Sequence, residues 1–237
     1  MKHICFENSI PLETCKYIKD FFDSHPELHV LKPNNPKVIK INSPWSHLHD
    51  VLDPILSKYF HTNKGQGGNI YKHTNYYSPH VDSDMPEQLI NVTIPIHLEV
   101  PDPKQHLIVF DQWTDNGEGR TWEGRKGPTG PALDFNHRTT MSPWEDENVY
   151  DCIDAPIDEK FYNDYLKNDE YTTPNLYYGL TGTAYDFVPG NMIVFNSNNI
   201  HTTGTLVGPW KIGVLLQFEG SLKELLTPPY KDAIITT

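Results

Sequence analysis

The most regular pattern in the chain runs from Ile90 to Val100. Ile90, Val92, Ile94, Ile96, Leu98 and Val100 fall on one face of an extended segment, and Asn91, Thr93, Pro95, His97 and Glu99 on the other. That period of two predicts a strand buried on its apolar side, with its polar side lining a cavity. Two helical stripes precede it. Leu12, Cys15, Ile18 and Phe22 recur at helical spacing through about Ser24, with Ser9 as the expected cap and Pro11 in the first turn. Trp45, Leu48, Leu52, Ile55, Leu56 and Tyr59 mark a second helix from about 44 to 60, in which Pro54 predicts a kink or a break. The apolar face of the 90–100 strand is expected to pack on these two helices.

Shorter apolar runs predict further strands at 38–41, 106–110, 184–188, 192–195 and 211–218. The glycine run 65–68, Pro189-Gly190 and Gly208-Pro209 are expected turns, and a short helix is expected over about 156–167. From Asp111 to about Arg138 the chain has the glycine and proline content of loops. Short strands without intervening helices point to a jelly-roll barrel. The expected organisation is one mainly β unit. Residues 1–64 form a helical N-terminal support, 65–110 and 181–220 the jelly-roll core, and 111–180 a long inserted lid.

Composition narrows the functional classes. The chain of 237 residues carries a formal net charge of −12. Residues 142–170 hold ten acids and two bases, a net of −8, and the rest of the chain holds −4. A surface of this sign repels phosphate backbones, so direct nucleic-acid binding is not expected. The acidic stretch reads either as a solvated face or as an attraction for a cationic substrate. No apolar run is long enough to span a membrane, and the first residues lack the apolar core of a signal peptide. Cys5, Cys15 and Cys152 are odd in number and widely spaced. That spacing argues against a disulfide framework and for a reducing compartment, with a cytoplasmic location expected.

The candidate chemistry centres on His80-Val81-Asp82. Residues two apart on an extended chain project to the same side, so an imidazole and a carboxylate would stand together. With one distant histidine, His201, they would complete a two-histidine, one-carboxylate set that suits Fe(II) and leaves coordination positions open. His97-Leu98-Glu99 is a competing pair of the same form.

Several features taken together resemble the Fe(II)- and 2-oxoglutarate-dependent oxygenases, most closely the prolyl-4-hydroxylase-like branch. They are the order of helices, Tyr71 nine residues before His80, His80 with Asp82, Pro189-Gly190 ahead of a strand leading to His201, and Lys211 ten residues later. The resemblance covers roughly 1–110 and 181–220. It implies a double-stranded β-helix, a metal site of His80, Asp82 and His201, and Fe(II), 2-oxoglutarate and O2 as cofactor and cosubstrates. It also implies hydroxylation of an unactivated carbon with release of succinate and CO2. Halogenases of that family place a small residue at the carboxylate position, so Asp82 points to hydroxylation, with desaturation the open alternative. The far carboxylate of 2-oxoglutarate needs a buried cation. Arg120, Arg125 and Arg138 all lie in the 111–180 excursion, whereas Lys211 sits where the family places its basic anchor. The same line-up implies a cosubstrate contact for Tyr71 and places His97 where relatives carry a tyrosine. Thr93 and Thr203 are further candidates for that pocket. The implied partner is a small-molecule or peptidyl substrate.

Two other classes fit parts of the pattern. A metal-free jelly-roll binding or structural module would make the histidines incidental. A cupin-type metal enzyme would act without 2-oxoglutarate, although the only His-x-His triplet, His47-Leu48-His49, lies in a helical stripe.

Overall fold

A computed structural model describes residues 3–32, 35–42, 46–61, 65–74, 82, 89–100, 105–113, 126–127, 130–131, 158–167, 180–197, 199–204, 210–220 and 225. In chain order the first elements are strand β1 (His3–Phe6), helix α1 (Leu12–Ser24), strands β2 (Val30–Lys32) and β3 (Asn35–Asn42), and helix α2 (Ser46–Leu56). Strands β4 (Gly65–His73), β5 (Leu89–Leu98) and β6 (His106–Trp113) follow, then the short pair β7 (Lys126–Gly127) and β8 (Gly130–Pro131). Helix α3 (Glu159–Phe161) leads directly into one π-helical turn (Tyr162–Leu166). Strands β9 (Gly182–Asp186), β10 (Met192–Asn196), β11 (Asn199–Thr203) and β12 (Lys211–Glu219) complete the order.

The strands form a seven-stranded antiparallel sheet, β1-β10-β5-β12-β4-β3-β2, and a three-stranded sheet, β11-β6-β9. The expected jelly-roll is present, with the N-terminal helices on the larger sheet. Alternation along the strands explains the packing. Ile90, Val92, Ile94 and Ile96 of β5 and Ile212, Val214, Leu216 and Phe218 of β12 point to the helices. They form one buried cluster with Cys15, Ile18 and Phe22 of α1 and Leu48, Leu52 and Leu56 of α2. Each such side chain contributes about 1.5–3 kcal/mol when fully buried. Between the sheets Leu107 and Val109 meet Ile193 and Phe195. The outer face of the small sheet is covered by Tyr162 and Leu166, which pack on Ile108, Phe110 and Ile200. This described part of the 111–180 excursion therefore lies on the outside of the barrel wall.

Several sequence expectations need correction. Pro11, not Ser9, occupies the cap position of α1, with no side-chain capping bond. Ser9 instead directs its hydroxyl to the Gly190 carbonyl at 3.4 Å. Leu12 is 65% exposed and outside the core, because the helix begins with it. Pro54 does not break α2, which runs on to Leu56, short of the expected end near 60. The glycine run 65–68 is not a turn but the start of β4. Glycine is needed there for space, since a Cβ at Gly68 would lie 2.6 Å from the Leu215 carbonyl oxygen. The N-terminal residues also contribute a strand that the pattern does not predict. β1 pairs with β10, and its His3 Nδ1 shares a 2.6 Å hydrogen bond with the Tyr185 hydroxyl of β9, tying the two sheets together.

Along β5 the alternation reverses. The β5–β12 register shifts between Ile212 and Gly213, so Pro95 lies opposite Gly213 while His97 lies opposite Ile212. Residues directly opposite share a face, and Ile212 faces the helices. His97 is thereby turned to the helix side. The extra residue makes a β-bulge, and Pro95, which has no N–H to give a ladder, marks it.

On the barrel side, β12 opposes β4. Gly213 is paired with Tyr71, and a Cβ at Gly213 would stand 2.4 Å from the Tyr71 hydroxyl oxygen. The phenol ring occupies the space a side chain would take. Gly213→Ala is expected to cost about 1–3 kcal/mol by overpacking. In a Tyr71→Ala background the cost should shrink to a few tenths of a kcal/mol. Denaturant unfolding of the four proteins checks this, and equal costs in both backgrounds would mean that the ring is not what fills the site.

Candidate active site

Asp82 and His201 are brought together from distant parts of the chain. The Asp82 amide donates to the Ser197 carbonyl at 3.0 Å, which holds this residue against the β10–β11 turn. His201 lies on β11 opposite Val109, so it faces the barrel interior, with its ring 4.8 Å from that of Phe195. Its Nδ1 is 2.9 Å from the Asn199 carbonyl. A carbonyl only accepts, so Nδ1 carries the proton and Nε2 presents a lone pair. That Nε2 is 3.3 Å from Asp82 Oδ2. Two acceptor atoms this close, with His201 5% exposed, are attractive only with a positive charge between them. A proton or a metal cation satisfies both.

Asp82 has a further partner from β5. Asn91 Nδ2 donates to Asp82 Oδ2 at 2.7 Å, and Asn91 Oδ1 accepts from Gln217 Nε2 of β12 at 3.2 Å. Tyr71 also senses this carboxylate. Burial first, and then the negative charge of Asp82, raise the phenol above its ordinary range and keep it protonated.

Lys211 is the other polar extreme of the interior. It is 0% exposed, opposite His73 on β4, two residues from Gly213 and on the same barrel-facing side. Among the described residues its Nζ has no hydrogen-bond partner, and the ammonium rests 4.5 Å from the centre of the Phe187 ring. Burial pushes its pKa down to about 7. Buried polar groups are almost always hydrogen-bonded, so an unpartnered buried cation fits an anionic ligand. The residues present therefore suit both a divalent metal at Asp82 and His201 and a carboxylate at Lys211.

The other residues singled out in the sequence divide. Thr93 is buried on the barrel side, opposite Ile193 and Leu215. Thr203 is buried two residues beyond His201 on the same face of β11. His80 lies outside the described residues, as do Arg120, Arg125, Arg138 and Cys152. His97 is not brought to the site. It is half-buried, lies against Trp210 with ring centres 5.1 Å apart and the planes tilted by 35°, and is 3.8 Å from Glu99. Its pKa is lowered, first by burial and then by Lys19 of α1. In the acidic stretch, Asp158 caps α3 by accepting from the Phe161 amide, and Asp164 pairs with Lys160. Those two acids have local structural uses.

Asn91, Gln217 and Gly213 were not singled out. The signals were present but faint: Asn91 is the first polar residue of the alternating strand, while Gly213 and Gln217 interrupt the apolar run of β12.

No protein-family model matches this sequence. No curated protein matches it either. Solved structures do match in shape. A prolyl-4-hydroxylase from Pseudomonas putida superposes with a TM-score of 0.50, covering 92% of this chain and 93% of that one at 6% identity. SnoK, a non-haem alpha-ketoglutarate-dependent carbocyclase from nogalamycin biosynthesis, gives 0.50 over 92% of this chain and 79% of that one, at 10% identity. The chain has the jelly-roll fold found in non-haem, 2-oxoglutarate-dependent oxygenases.

Proposed function

We propose that this chain is an Fe(II)- and 2-oxoglutarate-dependent dioxygenase that hydroxylates an unactivated carbon of a small molecule or a peptidyl residue. The observation that carries the reading is a buried cation facing the same interior as a carboxylate–imidazole pair. Lys211 Nζ, with no hydrogen-bond partner among the described residues, calls for an anion, and Asp82 Oδ2 and His201 Nε2, 3.3 Å apart, can share a metal cation. A proton alone could hold the first pair, but a metal-free module has no reason to keep a buried lysine without a partner among the described residues.

In this reading His80, Asp82 and His201 hold the metal, with both imidazoles neutral and the carboxylate ionised. Lys211 takes the far carboxylate of 2-oxoglutarate, and Tyr71, kept protonated, donates its hydroxyl hydrogen towards the bound cosubstrate. Thr93 and Thr203 line the same interior. When bound, the metal and cosubstrate supply the oxidation, one oxygen atom of O2 entering the substrate C–H bond and the other ending in succinate as CO2 leaves. The protein's own work is to position these groups and to exclude water from them.

Purified protein given Fe(II), ascorbate and 2-oxoglutarate is expected to release succinate, slowly without substrate and faster with one. Asp82→Ala should abolish both the turnover and tight Fe(II) binding. An Asp82→Ala protein that binds Fe(II) as tightly as the wild type would end the proposal.

Lys211 gives an independent check, because burying an unpaired amine opposes folding. The unfolded lysine titrates near its ordinary 10.5 and the folded one near 7. Between these values the unfolded state binds more protons, so stability rises with pH through that window. Lys211→Met should therefore stabilise the ligand-free protein by about 2 kcal/mol or more below pH 7, with the difference shrinking towards pH 10. The same variant should bind 2-oxoglutarate about 100-fold more weakly, the scale of losing a buried charge's partner. Calorimetry and unfolding curves measure the two effects. A variant that loses stability at pH 6 while keeping its affinity for 2-oxoglutarate would contradict the assignment.

A further inference from the structure

The donor chain behind Asp82 runs through two neutral amides from two different strands. Asp82 can only accept, so Asn91 must present its NH2 group to it. Asn91 Oδ1 then faces Gln217, which must present its own NH2 group in turn. The carboxylate thus sets the polarity of the whole chain. Asn91 is fully buried and has no room to trade these partners for water. Asp82 is held at its other end by its amide, bonded to the Ser197 carbonyl. Backbone and side chain are anchored to different elements, the β10–β11 turn and β5, which fixes where Oδ2 lies relative to His201 Nε2.

We propose that Asn91, oriented by Gln217, is a positioning residue that aims the Asp82 carboxylate at the metal. This rests on the reading of Asp82 as a ligand. The amide pair sets the direction of the carboxylate and spreads part of its charge onto the donated N–H, as outer partners of metal ligands generally do. A packing role alone would need volume at positions 91 and 217 but would be indifferent to which end of each amide points where.

That difference is testable with Mn(II) as the probe, titrated into the full chain and followed by the electron paramagnetic resonance signal of free Mn(II). Asn91→Leu is expected to weaken Mn(II) binding about tenfold or more. Gln217→Glu keeps the shape but removes the donor, so Asn91 turns its NH2 group away from Asp82. It should weaken binding by at least about threefold and change the spectrum of the bound ion. The double variant Asn91→Leu, Gln217→Leu removes the unpaired amide that the single change leaves. It should regain a wild-type melting temperature without regaining metal affinity. Wild-type affinity in the folded double variant, or in Gln217→Glu if the leucine variants do not fold, would overturn the proposal. Failure of the wild-type protein to bind Mn(II) or Fe(II) at all would overturn the functional reading itself, and this inference with it.

Discussion

A carboxylate oxygen and an imidazole nitrogen facing each other at 3.3 Å are held together only by a positive charge between them, a proton or a metal ion. Much of the fold is what forces these two atoms together. Asp82 is fastened to the turn between β10 and β11 by its amide, and His201 leaves that turn on β11 with its tautomer set by the Asn199 carbonyl. β10 belongs to the large sheet and β11 to the small one. The site therefore forms where the chain crosses between sheets, and it depends on the apolar contact of Leu107, Val109, Ile193 and Phe195 that holds those sheets face to face.

The buried lysine makes sense only alongside that pair. A lone ammonium at Lys211 is unfavourable in a dry interior, and the Phe187 ring face offsets only part of the cost. The interior thus carries charge of both signs, negative at Asp82 and positive at Lys211, with Tyr71 and Gly213 between them along β4 and β12. In the proposed reading, a keto acid that is chelating at one end and anionic at the other answers both at once. Neither a metal ion nor a carboxylate would do so alone. Such complementarity between two sites, rather than either site singly, would separate a 2-oxoglutarate-dependent enzyme from a cupin that binds only metal.

How far the sequence could carry the reading follows from the same physics. Patterns of local period were legible: Cys15, Ile18 and Phe22 on one helix face, and Ile90 to Ile96 on the strand that packs against them. Asp82, His201 and Lys211 stand out in the sequence through their spacing, and the structure places Asp82 beside His201 and buries Lys211 on the same barrel-facing side. His97 was misread because alternation assumes an unbroken ladder. A single bulge beside Pro95 flips every later side chain to the other face. The glycines of β4 were misread for a related reason. Glycine signals either a turn or a close approach, and only the position of Leu215 across the ladder decides which. Strands β1 and β2 are short and take their partners from the sheet, so nothing in their own few residues announces them. Asn91 and Gln217, 126 residues apart, acquire their meaning only through each other.

Strand β12 shows how the fold keeps stability and chemistry from competing. Its even-numbered residues, Ile212, Val214, Leu216 and Phe218, join the cluster under the helices. Three of its odd-numbered residues serve the interior: Lys211 as the buried cation, Gly213 as the space for Tyr71, and Gln217 as the end of the amide chain to Asp82. Because successive side chains point to opposite faces, the two sets never exchange roles. The apolar set fixes the register that the polar set requires. An anchor, a gap and a donor at alternate positions on one rigid central strand hold their relative spacing without any one of them having to be stable by itself. The buried lysine can therefore lack a hydrogen-bond partner among the described residues, because the face behind it carries the folding energy.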